Sequence, residues 1–252
     1  MIVALSIRSW SKRTLVVAMS LPSAAYCTHC SDMPQLRQDV TMRASGTILS
    51  AAPRLRGSAT TLSLHLALNG AEKIMRIGIR KYKPNDAEEF QRAVLESVEH
   101  VSKWLPWCSK DYSIEDAEEW ASGAQRSWEE GTDYRFIIED QETKEILGAV
   151  GINQVVRQYM IGNLGFWVKA SALNKGCCTQ AAKLATEYAF KELGFNRIEI
   201  HVLTENKSSI AVAENLGGVF EGAFRNKIIF NGVPSPANCY SIIPSDYGIP
   251  AK

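Results

Sequence analysis

Apolar and polar residues follow two different periods along residues 75–252. Alternating side chains predict β-strands, and apolar residues at every third or fourth position predict α-helices. The expected strands are 76–82, 134–139, 146–155, 164–168, 197–203, 219–230 and 239–243. The expected helices are 87–101, 114–130, 177–193 and 208–216. The resulting order, β-α-α-β-β-β-α-β-α-β-β, predicts a mixed α/β fold without an internal repeat.

Local signals mark the ends of several of these elements. Ser113 followed by Asp116 predicts a capped helix start. Asn231-Gly232 predicts a hairpin turn between the last two strands. One face of helix 177–193 carries small and apolar side chains that would let it approach a sheet closely. These residues are Ala181, Leu184, Ala185, Tyr188 and Ala189.

The segment 163–182 contains the clearest candidate for a ligand site. An expected strand ends there in the turn Asn174-Lys175-Gly176, and a helix-periodic segment follows at once. In a strand, glycine turn and helix N-terminus, free backbone N–H groups and the helix dipole converge on an anion. The segment therefore predicts a pocket for a phosphate-bearing cofactor. The alternative is that the glycine serves only the geometry of the turn.

Residues 1–74 differ from the rest of the chain and follow neither period. They hold eight Lys or Arg and three Asp or Glu, whereas the whole chain is balanced at 28 and 27. Three interpretations stay open for this part: a secretory signal, an organellar transit peptide, or a segment outside the domain that is either an over-extended start or a disordered leader. We expect a leader at 1–74 and a single domain at 75–252.

The six cysteines form no disulfide framework in their spacing. Cys27 and Cys30 have C-x-x-C spacing, but a structural zinc needs four ligands, so we expect no metal. Cys177 and Cys178 fall at an expected helix start, which suits either a lowered thiol pKa or simple packing. No apolar run reaches the ~20 residues that span a membrane. We therefore expect a reduced, cytoplasmic protein without membrane contact.

Short motifs occur in a fixed order from residue 75 to residue 247. They are Trp104-Leu105-Pro106-Trp107, Leu164–Val168, Asn174–Ala181, Asn206–Ile210, Glu214–Gly217, Glu221–Arg225, Asn231-Gly232 and Tyr240-Ser241. In this order they resemble the GNAT acyltransferase superfamily, specifically its branch of ribosomal-protein N-terminal acetyltransferases of the RimJ/RimL type. Residues 1–74 lie outside the resemblance.

The resemblance implies the GNAT fold, in which helices flank a mixed, mostly antiparallel sheet, and an N-acetyltransferase that uses acetyl-CoA. It implies that the loop binds pyrophosphate, that pantetheine lies between two splayed strands, and that a backbone N–H near Trp167 or Val168 stabilises the oxyanion. The implied cofactor contacts are Trp167, Val168, Lys169, Asn174, Lys175, Gly176, Cys177, Cys178, Thr179, Gln180 and Asn206.

The resemblance also implies roles around the reaction centre. Ser209 would give a proton to the leaving thiolate, because Ala213 replaces the tyrosine of other members; a helix-start hydrogen bond is the alternative for Ser209. Trp104 and Trp107 would wall the acceptor groove or serve the core. The candidate general bases, which also suit ordinary surface or sheet positions, are Glu96, Glu199, His201 and Glu205.

The loop departs from the family at Leu173 and Cys178, where a polar and a smaller residue are usual. Three functions stay open: acetylation of a protein N-terminus such as that of a ribosomal protein, acetylation of a small amine (a polyamine, aminoglycoside or amino acid), and non-catalytic acetyl-CoA binding. The resemblance implies the first. Such an enzyme needs only a weak base, because about a quarter of an α-amine with a pKa of about 7.8 is neutral at cytosolic pH, against about 0.1% of lysine. The expected partners are acetyl-CoA and the acceptor amine, without direct nucleic-acid contact, in a monomer or homodimer.

Overall fold

The structure is a computed structural model that describes residues 2–3 and 75–250. Its strands are β1 (Ile2–Val3), β2 (Ile77–Arg80), β3 (Tyr134–Asp140), β4 (Ile146–Val156), β5 (Ile161–Val168), β6 (Arg197–Leu203), β7 (Val219–Phe230) and β8 (Val233–Ile242). Its α-helices are α1 (Ala87–Glu96), α2 (Val98–Val101), α3 (Ile114–Glu130), α4 (Cys177–Lys191) and α5 (Lys207–Asn215). The predictions for residues 4–74, including the leader and the Cys27 and Cys30 pair, lie outside the described residues.

Seven strands form one sheet in the order β2-β3-β4-β5-β6-β8-β7, and β1 pairs separately with β5. Neighbouring strands run antiparallel, except that β5 and β6 run parallel. The parallel step requires a crossover, which α4 supplies between β5 and β6. The mixed α/β class is confirmed, and so is the predicted order of elements from residue 75 onward, except that the first predicted helix is two helices.

Helices pack on both faces of the sheet. Helices α4 and α5 cover one face, and the predicted alanine stripe of α4 is fully buried there. Leu184 is 39% exposed, so the prediction that included it in the stripe was wrong. At 3.6 residues per turn it lies about 100° around the helix from the centre of the alanines. On the other face, α1 and α3 bury Phe90 and Trp120 against Trp167 of β5. None of the described helices is both long and apolar enough to cross a membrane.

Three elements differ most from the sequence pattern. Strand β5 begins at Ile161, earlier than the expected 164. The expected helix 87–101 is two helices, because the Ser97 hydroxyl donates to the Ala93 carbonyl at 2.6 Å and such back-bonding bends helices. Strand β8 begins at Val233, earlier than expected, although it contains Pro234 and Pro236. Both prolines lie beyond the residues that pair with β6, so the missing N–H groups fall on a free edge.

Candidate functional site

Strands β5 and β6 pair over three residues and then separate. The aligned pairs end with Asn163 opposite Glu199, while both strands continue further. Beyond this point the backbone N–H of His201 donates to Oδ1 of Asn163 at 3.1 Å, so a side chain takes the place of a β5 carbonyl. The rest of the β5 edge is therefore open to a partner other than β6.

Strand β1 uses this edge in the structure. Ile2 lies opposite Trp167, and Val3 lies opposite Phe166. The pantetheine arm of acetyl-CoA is expected along the same backbone. Because each backbone N–H donates to one main-chain partner, pantetheine in its expected position would compete with β1 for this edge.

The register of β4 and β5 decides which backbone groups face the opening. The N–H of Lys169 donates to the Leu147 carbonyl at 2.7 Å, and Trp167 lies opposite Ala149 in the same ladder. Hydrogen-bonded pairs alternate along antiparallel strands, so the N–H of Trp167 is also directed at β4. The N–H of Val168 points the other way, into the opening. Of the two expected oxyanion donors, the geometry favours Val168 over Trp167.

The side chain of Trp167 instead anchors β5 in an aromatic cluster. It is fully buried, with its ring centroid 5.6 Å from that of Phe90 and 5.9 Å from that of Trp107. Trp107 also stacks on Trp120 at 6.2 Å, and Trp104 packs against the same cluster. The core alternative therefore holds for Trp107. A role of either tryptophan in walling the acceptor groove stays a prediction.

The glycine turn presents an uncapped helix N-terminus to solvent. Asn174 and Gly176 have left-handed backbones, with φ of 59° and 71°, and Gly176 is the N-cap of α4 without a side-chain cap. The first helical bond runs from the Gln180 N–H to the Gly176 carbonyl at 3.0 Å. Helix geometry leaves the N–H groups of Cys177, Cys178 and Thr179 without intrahelical acceptors. These three N–H groups are oriented to donate to an anion, whereas the Gln180 N–H already donates to the Gly176 carbonyl.

The thiols of Cys177 and Cys178 are packing groups. They are 1% and 0% exposed, and burial raises the pKa of both thiols. The alternative of a lowered thiol pKa at this helix start was wrong, because desolvation of the Cys177 thiolate outweighs the backbone hydrogen bond and the charge of Lys175, which lower its pKa. The side chain of Cys178 points from α4 into the core, which accommodates a side chain larger than the one usual at this position.

Lys169 and Glu96 hold the end of β5 in place. The Lys169 ammonium group is buried, forms an ion pair with Glu145, and lies 3.9 Å from Oε2 of Glu96. The other oxygen of Glu96 accepts the backbone N–H of Ser171 at 2.8 Å. Lys169 therefore serves a structural ion pair with its side chain, and Glu96, one of the candidate bases, links α1 to the turn after β5.

Helix α5 begins beside the separated strands. Oδ1 of its N-cap residue, Asn206, accepts the backbone N–H of Ser209 at 3.2 Å, and both residues are buried. The alternative for Ser209 was a hydrogen bond at the helix start. The structure contains such a bond, formed by the backbone N–H of Ser209. Proton donation by the hydroxyl stays a prediction. Ala213 is fully buried in the core one turn further on.

A polar cluster that the sequence pattern did not predict as a unit lies on β6, β7 and β8. Oε2 of Glu199 is 2.9 Å from Nε2 of His201, and Oε1 of Glu199 accepts from Nε of Arg197 at 2.9 Å. Arg197 also binds Glu221 through both terminal nitrogens, and the guanidinium lowers the pKa of Glu221 to about 2. The hydroxyl of Ser241 donates to Glu221 at 2.7 Å. Residues far apart in sequence meet here through strand pairing, so spacing alone gave no signal.

The cluster contains a buried histidine. His201 is 5% exposed, and burial lowers the pKa of its imidazole, so the ring is neutral near neutral pH. Its cross-strand neighbour is Cys239, whose thiol pKa is raised to about 11 by burial. Ligand atoms of Glu199, His201 and Cys239 all lie within 4.8 Å of one another.

Comparisons with known proteins agree with this geometry. The family model described as Acetyltransferase (GNAT) domain matches residues 76–219. YdaF of Bacillus subtilis, named as a candidate ribosomal N-acetyltransferase, is 24% identical over 68% of this chain and 93% of its own length. Spermidine N(1)-acetyltransferase of Escherichia coli K12 is 31% identical over 39% of this chain and 52% of its own.

Solved structures share the fold. A candidate ribosomal-protein-serine acetyltransferase from Vibrio cholerae is 25% identical, with a TM-score of 0.60 over 67% of this chain and 94% of its own. Microcin C7 self immunity acetyltransferase MccE, in complex with acetyl-CoA and AMP, is 24% identical, with a TM-score of 0.61 over 66% of this chain and 92% of its own. Because the family model covers more than half of the chain, this protein belongs to the GNAT family of N-acetyltransferases, which use acetyl-CoA as the co-substrate.

Proposed function

We propose that this GNAT N-acetyltransferase acetylates the N-terminal α-amine of a protein in the cytoplasm, and that a ribosomal protein is an acceptor. The observation that carries the proposal is the open edge of β5 beside the uncapped N-terminus of α4. An extended thioester arm fits the first, and a pyrophosphate fits the second. The four described cysteines are free thiols, which supports a reducing compartment.

The donor half of the site follows from the backbone. The N–H groups of Cys177, Cys178 and Thr179 would bind the pyrophosphate, and the N–H of Val168 would stabilise the oxyanion. Asn174, Lys175 and Gly176 are exposed around that helix start, so Lys175 is able to add a positive charge to it. The buried Asn206 would order the chain where β6 ends.

The acceptor class is inferred from the carboxylates near the opening. A polyamine carries several ammonium groups, which unpaired carboxylates of the enzyme would attract. Here Glu96 binds a backbone N–H, Glu145 pairs with Lys169, and Glu199 and Glu221 both bind Arg197. Carboxylates that already have cationic or N–H partners attract a polycation weakly. A single α-amine, which is partly neutral at cellular pH, does not need them.

Spermidine acetylation is the second candidate, supported by the E. coli relative, which is similar over about half of its own length. YdaF is similar over nearly its whole length, which supports the protein-directed proposal more strongly. Binding of acetyl-CoA without turnover is the remaining alternative, because Leu173 and Cys178 depart from the family loop.

Release of free CoA thiol with matched acceptors tests the proposal. The acceptors are a peptide with a free Ser or Ala N-terminus, the same peptide with its N-terminus blocked and one internal lysine, and spermidine. We expect turnover with the free peptide and little with the other two. Turnover with spermidine alone would contradict the proposal. Binding of acetyl-CoA without CoA release from any acceptor would support the non-catalytic alternative.

A further inference from the structure

Three side chains with metal-binding atoms meet on one face of β6 and β8. Glu199 and His201 lie two residues apart on β6, so their side chains share that face, and Cys239 lies directly opposite His201 on β8. The ligand atoms of the three side chains all lie within 4.8 Å of one another. The expectation of no metal considered only cysteines that are close in sequence, whereas strand pairing brings this set together.

The chemistry of the three groups fits zinc. Carboxylate oxygen, imidazole nitrogen and thiolate sulfur are the usual zinc ligands, whereas Mg²⁺ and Ca²⁺ take oxygen ligands. With bonds of about 2.0–2.3 Å, the ligand atoms of a tetrahedral zinc ion lie roughly 3.3–3.6 Å apart. Oε2 of Glu199 is 2.9 Å from Nε2 of His201, and the widest separation in the set is below 4.8 Å. Small side-chain rotations are therefore enough to close the set around an ion.

Burial prepares two of these ligands and leaves the third within reach of solvent. His201 is 5% exposed and Cys239 is fully buried, so the binding of an ion has little water to displace from them. The side chain of Glu199 is 21% exposed. A metal site needs an entry path, and the partly exposed carboxylate provides one.

Hydrogen bonds from neighbouring residues orient the ligands. Oδ1 of Asn163 accepts the backbone N–H of His201 at 3.1 Å, which fixes the histidine on β6. Nε of Arg197 donates to Oε1 of Glu199 at 2.9 Å, so Oε2 is the oxygen that faces His201. Such outer partners typically orient the ligands of a metal site. Glu199 would therefore bind an ion through Oε2 alone.

The charges around the cluster balance a zinc ion. Arg197 is paired with both Glu199 and Glu221, which leaves these groups with one excess negative charge. Glu221 is ionised, because the guanidinium lowers its pKa to about 2. A zinc ion bound to the thiolate of Cys239 would add one positive charge and cancel the excess. Lys227 brings a further positive charge nearby, but it is exposed, and water screens it.

We propose that Glu199, His201 and Cys239 bind one zinc ion, with water as the fourth ligand. Cys239 gives up its proton to solvent when the bond forms, and the ring proton of His201 moves to Nδ1 so that Nε2 binds the ion. Since the ligands come from β6 and β8, the ion would tie the β7–β8 hairpin to the central strands. Zinc binding at this place does not depend on acetyl transfer.

The alternative is a hydrogen-bonded cluster without an ion. In that arrangement Nε2 of His201 donates to Glu199, because a carboxylate accepts, and the thiol of Cys239 keeps its proton. Burial raises the pKa of this thiol to about 11, so only a metal ion would make it a thiolate near neutral pH. A measurement that detects a metal–thiolate bond therefore separates the two arrangements.

Titration with cobalt(II) detects this bond, because cobalt substitutes for zinc and its bond to a thiolate absorbs in the near ultraviolet. Cys27 and Cys30 are a second candidate for binding the ion, so both are replaced by serine in the full chain that is titrated. We expect one equivalent of cobalt to produce the thiolate band. Excess zinc should remove the band by taking the same place.

Single substitutions in this background test the ligands. Cys239→Ser should abolish the band. His201→Gln should weaken cobalt binding by more than the roughly 10–100-fold that loss of an outer partner typically causes. Cys108→Ser is the matched control, because Cys108 is also a buried free thiol but lies among apolar side chains. It should keep both the band and the Kd for cobalt.

Thermal unfolding gives a second readout. Zinc should raise the unfolding temperature of the background protein and of its Cys108→Ser variant, because an ion that binds only the folded state stabilises it. It should leave the unfolding temperature of Cys239→Ser unchanged. Circular dichroism of the metal-free variants shows whether each is folded, and Cys239→Ala replaces the serine variant if that one is not.

The outcomes are distinct from those for the proposed function. A background protein without a thiolate band, or a band that survives in folded Cys239→Ser, would overturn the zinc site. If cobalt binds as expected and the wild type acetylates no amine, the zinc site stands and the proposed function fails. If the wild type acetylates the peptide and no band forms, the reverse holds.

Discussion

At the scale of single residues, the backbone of Gly176 positions the helix N-terminus that is expected to bind the cofactor. Its φ of 71° lies in the left-handed region, yet a Cβ added there would meet only Nε2 of Gln180, at the ordinary contact distance of 3.6 Å. An added side chain would therefore destabilise the protein through backbone strain, and not through a steric clash. We expect Gly176→Ala to lower the free energy of unfolding by about 1–2 kcal/mol. Shifted N–H donors should weaken acetyl-CoA binding roughly tenfold, which corresponds to about 1.4 kcal/mol.

Gly194 provides a matched control for this prediction. Its φ is 73°, an added Cβ would meet no atom within 4 Å, and it lies beyond the opposite end of α4. Gly194→Ala should cost similar stability and leave acetyl-CoA binding unchanged. Urea unfolding and titration calorimetry measure the two quantities. Equal binding losses in both variants would show that strain, and not the position of the N–H donors, is responsible.

The sequence predicts the glycine turn but not which backbone donor faces the thioester. Asn174 and Gly176 both tolerate left-handed backbones, so the turn is specified locally. The choice between Trp167 and Val168 depends instead on whether each N–H points to β4 or away from it. That depends on the register of β5 against β4, a property of two strands together, and the pattern within β5 does not contain it.

At the scale of elements, the separation of β5 from β6 depends on Asn163. Replacing it by leucine would leave the N–H of His201 and Oδ1 of Asn153 without their partner in a buried position. A buried group that loses its partner costs about 1–3 kcal/mol, so we expect Asn163→Leu to destabilise the protein by about 2 kcal/mol or more. Denaturant unfolding measures the change.

An exposed asparagine serves as the comparison for Asn163→Leu. The side chain of Asn196 donates a long hydrogen bond of 3.5 Å to the Tyr159 carbonyl, and the residue is exposed. Asn196→Leu should change stability by less than about 0.5 kcal/mol. If the two leucine variants unfold at the same denaturant concentration, Asn163 does not bridge the strands.

Elements whose ends are marked by capping or turn residues were predicted closely. Elements whose ends depend on the neighbouring strands were not. Helix α3 begins after Ser113, whose hydroxyl accepts the Asp116 N–H at 3.2 Å, as the capping pattern predicts. The start of β8 was missed because Pro234 and Pro236 are poor strand residues unless one edge is free. That edge is free only because β6 is shorter than β7, which is a tertiary property.

At the scale of the whole molecule, the described residues from 75 onward contain every side chain of the candidate site. The described apolar side chains on both faces of the sheet likewise come from residue 75 onward. We therefore expect a chain of residues 75–252 to unfold cooperatively and to be stabilised by acetyl-CoA. At a ligand concentration of 100 times Kd the stabilisation should be about 2.7 kcal/mol.

Removing residues 1–74 should also tighten acetyl-CoA binding. In the full chain β1 pairs with β5 at Phe166 and at Trp167, and pantetheine is expected along the backbone from Trp167 to Lys169, so the cofactor would have to displace β1. The shortened chain has no such competitor, and its Kd should fall below that of the full chain. Val3→Pro in the full chain removes one backbone donor of β1 and should reproduce part of this gain. If the shortened chain fails to fold or binds acetyl-CoA more weakly, residues before 75 belong to the domain and β1 supports the site instead of competing with its ligand.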